Sequence, residues 1–193
     1  MVHILPHWNW QGFEGKEIPV WCYSNCESVE LFLNGKSLGE KRFSETEELH
    51  LEWRVPYTLG TLKAVAKNNG KIVCVNQVET AGEPAKVVLV PDRSVIKADG
   101  NDLSFIKVMI TDKKGRVCPN AEHLIKFSIE GEGKIVGVDN GDPVNHELFK
   151  ASERKAFHGL CLVVVQSSNK KGTIHLTAKS EGLKSAEVLI KTR

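Results

Sequence analysis

The chain has 193 residues, with 26 basic and 24 acidic side chains and a formal net charge of +2, a balance too weak and too scattered for a phosphate-tracking surface, so nucleic acid is excluded as a partner. Hydrophobic residues at 41% and charged residues at 26% provide for a real core and exclude a disordered tail. No apolar run approaches the ~18 residues needed to span a bilayer, and Met1-Val2-His3-Ile4-Leu5-Pro6 lacks the basic segment and long apolar stretch of a signal peptide.

Taken in chain order, the first feature is aromatic. His7-Trp8-Asn9-Trp10 sets two indoles beside two polar groups, and Trp21 and Trp53 complete the four tryptophans. Exposed aromatic faces stack on sugars, so His7, Trp8, Asn9 and Trp10 are candidates for a saccharide platform or for contacts with a neighbouring domain. Trp21 and Trp53 are expected in the core. The rest of the chain has strand periodicity. Apolar and polar residues alternate at 49–55 and 125–129, as half-buried strands require, and similar runs occur at 18–23, 29–33, 62–66, 72–78, 87–90, 105–110, 160–165, 174–178 and 186–190. No run beside them sustains a helical period. Turn signals separate them at Asn34-Gly35, Asn69-Gly70, Asp99-Gly100, Lys114-Gly115, Asn140-Gly141 and Glu181-Gly182. Short strands at this spacing predict an all-β sandwich or barrel.

An internal repeat distinguishes one domain from two. Shifting positions 60–80 by 112 superposes Gly60, Thr61, Ala66, Lys67, Gly70 and Thr80 on Gly172, Thr173, Ala178, Lys179, Gly182 and Thr192. Both segments read as strand, glycine turn and closing strand. If each ends its own sandwich, the boundary falls at Ala81-Gly82-Glu83-Pro84, giving domains of about 1–82 and 84–193. The expectation is two tandem immunoglobulin-like β-sandwiches of roughly 100 residues each.

Catalytic and metal constellations are sparse. Glu45, Glu47 and Glu48 cluster, as do Asp139 and Asp142, but both groups lie in polar turn segments and read as solvated loop charges. No Gly-x-Ser-x-Gly occurs, the seven histidines are dispersed, and Gly131-Glu132-Gly133 lacks the third glycine and following helix of a phosphate-cradling loop. Cys22-x-x-x-Cys26 has loose ligand spacing, without a second close pair among Cys74, Cys118 and Cys161. Five cysteines leave at least one unpaired. Mostly free, buried thiols are expected, with a disulfide from Cys22 or Cys26 to Cys74 as the alternative in an oxidising compartment. Neither a metal nor a cofactor is expected. The segment Asp139–Pro143 resembles a calcium loop only superficially, because the twelfth position from Asp139 is Lys150, where an EF-hand needs glutamate. A turn with Asn140 and Gly141 in unusual backbone angles accounts for it.

Six segments, three in each half of the chain, carry a family resemblance. Met1 to Trp10, then Ile18-Pro19-Val20-Trp21, then Cys26-Glu27-Ser28-Val29-Glu30-Leu31-Phe32-Leu33-Asn34-Gly35-Lys36-Ser37-Leu38-Gly39 resemble the first domain after the catalytic barrel in family-two glycoside hydrolases of the β-galactosidase type. Lys97-Ala98-Asp99-Gly100, Val138-Asp139-Asn140-Gly141-Asp142 and 159–167 resemble the next immunoglobulin-like domain of those enzymes, a pattern shared with bacterial adhesin repeats. The resemblance implies that the acid/base and nucleophile glutamates lie in a barrel upstream of this sequence, that Met1 is interior to a longer polypeptide, that the missing barrel is the principal partner, and that the parent is exported to the periplasm or cell surface. It leaves three classes open: an accessory region that packs on or supports the barrel, an independent carbohydrate-binding module, and an adhesin-like protein-binding pair. An apolar patch around residues 3–10 favours the first; an open aromatic strip on a sheet, the second; an apolar sheet edge, the third.

Overall fold

The computed structural model describes residues 1–45 and 48–193. The chain divides into two compact units, Met1–Thr80 and Ala81–Arg193. Both are built from strands, and among the described residues the only helical element is a single 3₁₀ turn at Phe43–Glu45.

The first unit contains β1 (Val2–Leu5), β2 (Glu17–Ser24), β3 (Ser28–Leu33), β4 (Lys36–Arg42), β5 (Leu51–Pro56), β6 (Thr61–Asn68) and β7 (Lys71–Glu79). They form two antiparallel sheets, ordered β1-β2-β5 and β4-β3-β6-β7. The pleat sends alternate side chains inward. Val20 and Cys22 of β2 and Val55 of β5 meet Val29 and Leu31 of β3 and Leu62 and Ala64 of β6, all fully buried. The hairpins β3–β4 and β6–β7 close on Asn34-Gly35 and Asn69-Gly70, with positive φ at both residues of each pair, as a type I′ turn requires. Asn34 does more than turn the chain. Its side-chain Oδ1 accepts from the Thr61 N–H at 2.8 Å and its Nδ2 donates to the Leu59 carbonyl, tying the β3–β4 turn to the entry of β6. Gly60 permits this approach: at φ +141° a Cβ there would lie 1.8 Å from Asn34 Oδ1.

The second unit contains β8 (Lys86–Pro91), β9 (Val95–Ile96), β10 (Leu103–Thr111), β11 (Leu124–Gly131), β12 (Gly133–Asp139), β13 (Glu153–Lys155), β14 (Leu160–Ser167), β15 (Gly172–Lys179) and β16 (Ala186–Thr192). One sheet is ordered β12-β14-β10-β8 and the other β13-β11-β15-β16-β9, with β9 parallel to β16. Ile106, Ile110, Val163 and Val165 from the first face Ile125, Ile174, Leu176 and Ile190 from the second. Gly131-Glu132-Gly133 is the corner where the chain leaves one sheet for the other. A Cβ on Gly131 would lie 2.0 Å from the Thr173 carbonyl oxygen, and one on Gly133 2.7 Å from that of Gln166, so backbone proximity accounts for both glycines.

The structure differs from the sequence expectations at definite places. Strands β1, β4, β9, β12 and β13 lie outside the predicted runs. Within the predicted β5, Leu51, Trp53 and Val55 point inward, but Leu49 precedes the strand and is 85% exposed. Trp21 is not core. It falls between Val20 and Cys22, so the same pleat that buries those two turns the indole outward, 39% exposed. Ala81 and Gly82 belong to the second unit and do not form a free linker: Ala81 is buried in its core, and the Gly82 N–H donates to Asp112. In the 139–143 turn, Gly141 has positive φ but Asn140 does not.

Candidate functional site

The 7–10 segment separates into a buried half and a surface half. Trp8 is 1% exposed; its Nε1–H donates to the Thr58 carbonyl at 2.9 Å, and its ring meets Tyr57 edge-on at 5.1 Å. Its own carbonyl accepts from Thr80 Oγ1 at 2.8 Å. Trp8 is thus a core residue of the first unit, and its ring is closed to any ligand. His7, Asn9 and Trp10 are half-buried. The His7 and Trp10 rings stack at 4.9 Å, Trp10 Nε1 donates to the His7 carbonyl, and the Asn9 N–H donates to His7 Nδ1, which fixes that nitrogen as an acceptor. Phe13, unremarked in the sequence, extends the cluster at 6.1 Å from Trp10 and is 44% exposed.

A second aromatic cluster stands on the outer face of the β1-β2-β5 sheet. The Trp21 and His50 rings lie 4.7 Å apart and Tyr23 and His50 5.6 Å apart. Trp21 pairs with Leu5 on one side and Glu52 on the other. Its Nε1–H donates to Glu52 Oε2 at 2.9 Å, while Arg54 Nε holds Glu52 Oε1 at 2.8 Å. Beside them Trp21, Lys41, Arg42, His50 and Glu52 line a groove of about 600 Å³. The signal for this cluster was present in the sequence, in the period-2 pattern of residues 18–23.

Among the described residues, the carboxylates named from the sequence lie at a groove rim or in turns. Glycoside hydrolysis needs one carboxyl kept protonated as general acid opposite a second carboxylate. Glu52 is shifted the other way: the Trp21 indole N–H, followed by the charge and hydrogen bond of Arg54, lowers its pKa. Glu45 and Glu48 are exposed at the groove rim, and Glu47 lies outside the described residues. Asp139 Oδ1 accepts from the Asn140 and Gly141 amides, and Asp142 Oδ1 from the Val144 amide, so both aspartates are engaged in turns. Among the described residues, no three His, Cys, Asp or Glu side chains converge as metal ligands. All five cysteines are free thiols, and Cys22, Cys26, Cys118 and Cys161 are buried. Burial pushes Cys22 and Cys161 up to about 12. Among the described residues, no helix is long and apolar enough to cross a membrane.

The second unit contains a buried guanidinium. Arg154 of β13 is 1% exposed; it donates to the backbone carbonyls of Val138, Glu147 and Leu148, and to Asn145 Oδ1 and Glu147 Oε2. It pins the 140–152 loop to the sheet.

Residues 87–189 match the sequence model described as glycoside hydrolase family 2 C-terminal domain 5. The chain belongs to glycoside hydrolase family 2. Residues 15–74 match a second model, a domain of unknown function (DUF4982). The β-galactosidase BoGH2A of Bacteroides ovatus is 50% identical over 191 residues, covering 98% of this chain and 22% of that enzyme. A β-glucuronidase of Formosa agariphila is 31% identical over 99% of this chain and 19% of its own length. Among solved structures, a family 2 glycosyl hydrolase from Bacteroides cellulosilyticus matches with TM-score 0.91 and 46% identity, covering 98% of this chain and 24% of that one. A β-glycosidase from Bacteroides vulgatus matches with TM-score 0.93 and 38% identity at the same coverages. The chain therefore spans about a fifth of the length of the family 2 relatives it matches.

Proposed function

We propose that this chain is the non-catalytic C-terminal region of a β-galactosidase-type hydrolase, supporting a catalytic barrel that lies elsewhere in the same polypeptide. One observation carries the reading: an alignment along nearly the whole chain corresponds to only 22% of a β-galactosidase, which leaves most of that enzyme outside it. The lowered pKa of Glu52 at the Trp21 groove supports the same reading. Both sandwiches are taken as immunoglobulin-type. In the second, a four-stranded sheet β12-β14-β10-β8 and a five-stranded sheet β13-β11-β15-β16-β9 share one core, a two-sheet arrangement that supports this reading. The His7–Trp10–Phe13 cluster is the proposed contact with the barrel, since stacked half-buried aromatics bordering a core gain most by being covered.

The test is truncation of the parent enzyme immediately before this segment. The expected result is a barrel of reduced thermal stability, rescued in part by adding the 193-residue chain in trans, while the chain alone hydrolyses no aryl β-galactoside. Full stability and activity of the truncated enzyme would overturn the proposal.

A further inference from the structure

We infer that the outer face of the β1-β2-β5 sheet, centred on Trp21, is a non-catalytic binding surface for a neutral oligosaccharide. The inference starts from the pleat. Val20 and Cys22 are drawn into the core, which forces residue 21 outward, and the residue placed there is the largest apolar side chain available. An indole left 39% exposed gives up burial free energy that a polar residue at that position would not have forfeited. Its N–H is already committed to Glu52 and the tilted His50 ring stands 4.7 Å away, so what remains for a ligand is the part of the π surface that His50 leaves open. That surface attracts the electropositive C–H face of a pyranose.

The polar groups beside the ring fit the rim of the same sugar. Glu52 is held by Trp21 through one oxygen and by Arg54 through the other, an orientation fixed before any ligand arrives, and each oxygen retains a free lone-pair direction. The Arg54 side chain is largely exposed and has N–H donors to spare. An acceptor and a donor at adjacent positions can engage neighbouring hydroxyls as a pair, and charged hydrogen bonds of this kind are the stronger ones.

Charge settles the ligand class. Lys41, Arg42 and Arg54 stand among Glu45, Glu48 and Glu52, a mixture that offers a polyanion no net attraction. A volume of about 600 Å³ falls within the range that accepts a drug-sized ligand, which suits a short glycan chain. That the glycan is β-linked rests on the hydrolase reading above; the surface itself does not.

The experiment titrates the 193-residue chain with β-1,4-galactotetraose, cellotetraose and tetragalacturonate, followed by tryptophan fluorescence and isothermal calorimetry. Binding of a neutral tetrasaccharide is expected, weakened at least tenfold by Trp21→Ala and several-fold by Glu52→Gln. Trp21→Phe should restore much of the affinity, and Trp10→Ala should leave it unchanged. Each variant is checked by its thermal melt. No binding of either neutral probe at 10 mM, on the order of ten thousand times weaker than a micromolar site, would overturn the inference, as would preference for the acidic probe or affinity lost on Trp10→Ala but not on Trp21→Ala. The same titration on the intact parent enzyme tests whether the face is open there: binding by the chain but not by the parent means that the rest of the enzyme covers it, and also overturns the inference. None of these outcomes bears on the truncation test, so the two proposals fail separately.

Discussion

Asp112 Oδ2 accepts a hydrogen bond from the Gly82 N–H at 2.9 Å, thirty residues earlier in the chain. The same carboxylate takes the Lys114 and Arg116 amides on Oδ1 and the Arg116 guanidinium on Oδ2. A buried carboxylate thus holds both its own turn and the segment that enters the second unit. Burial alone would raise its pKa, but the Gly82 amide and the Arg116 guanidinium outweigh that and hold the group far below the ordinary carboxylate range.

Asp112→Ala should destabilise the second unit by about 3 kcal/mol, because it leaves several amide donors without a partner. The check is urea denaturation. The sign of the pH dependence follows from a folded pKa below the unfolded value of about 3.9: the stabilisation is complete at neutral pH, erodes as pH falls through about 4, and is gone only below the folded pKa. Asp112→Asn should flatten this acid limb.

Trp8→Ala should cost the first unit about 3–5 kcal/mol, the range for removing a buried aromatic ring. Trp8→Phe should cost less, keeping the packing on Tyr57 but leaving the Thr58 carbonyl without its donor. Trp10→Ala should cost the isolated chain no more than about 1 kcal/mol, as expected of a partly exposed side chain. Thermal melts of the three variants separate the roles. A Trp10 variant as damaging as the Trp8 one would contradict the division between core and surface.

Thiol labelling should discriminate among the cysteines. With burial holding Cys22 and Cys161 up to about 12, a disulfide reagent at pH 8 finds almost no thiolate there. Half-buried Cys74 is expected to react first, and reducing agent should leave the melting temperature unchanged. Rapid reaction at Cys161 in the native chain would count against the core described for β14.

Calcium should not shift the melt of the second unit. Asp139 and Asp142 are engaged by turn amides, and a cation there would have to displace those hydrogen bonds. A tight site at 100-fold saturation would stabilise by about 2.7 kcal/mol, so a shift of several degrees, abolished by Asp139→Ala, would refute this.

Arg154→Met should make the 140–152 loop the first site of limited proteolysis, because three backbone carbonyls lose their donor. Arg154→Lys should rescue poorly: an ammonium is a compact point charge on a flexible stem and lacks the planar fork that spans these acceptors. The readout is the cleavage position by mass spectrometry.

The sandwich architecture was legible because core residues such as Val29, Leu31, Ile125 and Ile174 alternate with polar ones. What was not legible follows from the same rule. β4 has no apolar face: all its residues but half-buried Leu38 are exposed, and it is held by pairing with β3 and by Lys67, which bridges Glu30 and Glu40 at 2.8 and 2.6 Å. In β12 a bulge between Ile135 and Gly137 breaks the alternation. Trp21 stands on the outer face because its neighbours Val20 and Cys22 hold the inward phase of the same strand. The 7–10 motif was visible as a cluster, but its division into a buried indole and a stacked surface pair depends on Tyr57, Thr58 and Thr80, up to 72 residues away.

Arg154 holds its loop chiefly by main-chain oxygens, a feature common to any sequence. Three of its five acceptors are the carbonyls of Val138, Glu147 and Leu148. Such an anchor constrains the path of the chain more than its chemistry, so Val144 and Leu148, both exposed, can be exchanged while the loop keeps its course. The 140–152 segment is accordingly a natural place for laboratory diversification, a tethered surface on which new recognition can be selected with a small thermodynamic penalty to the sandwich beneath.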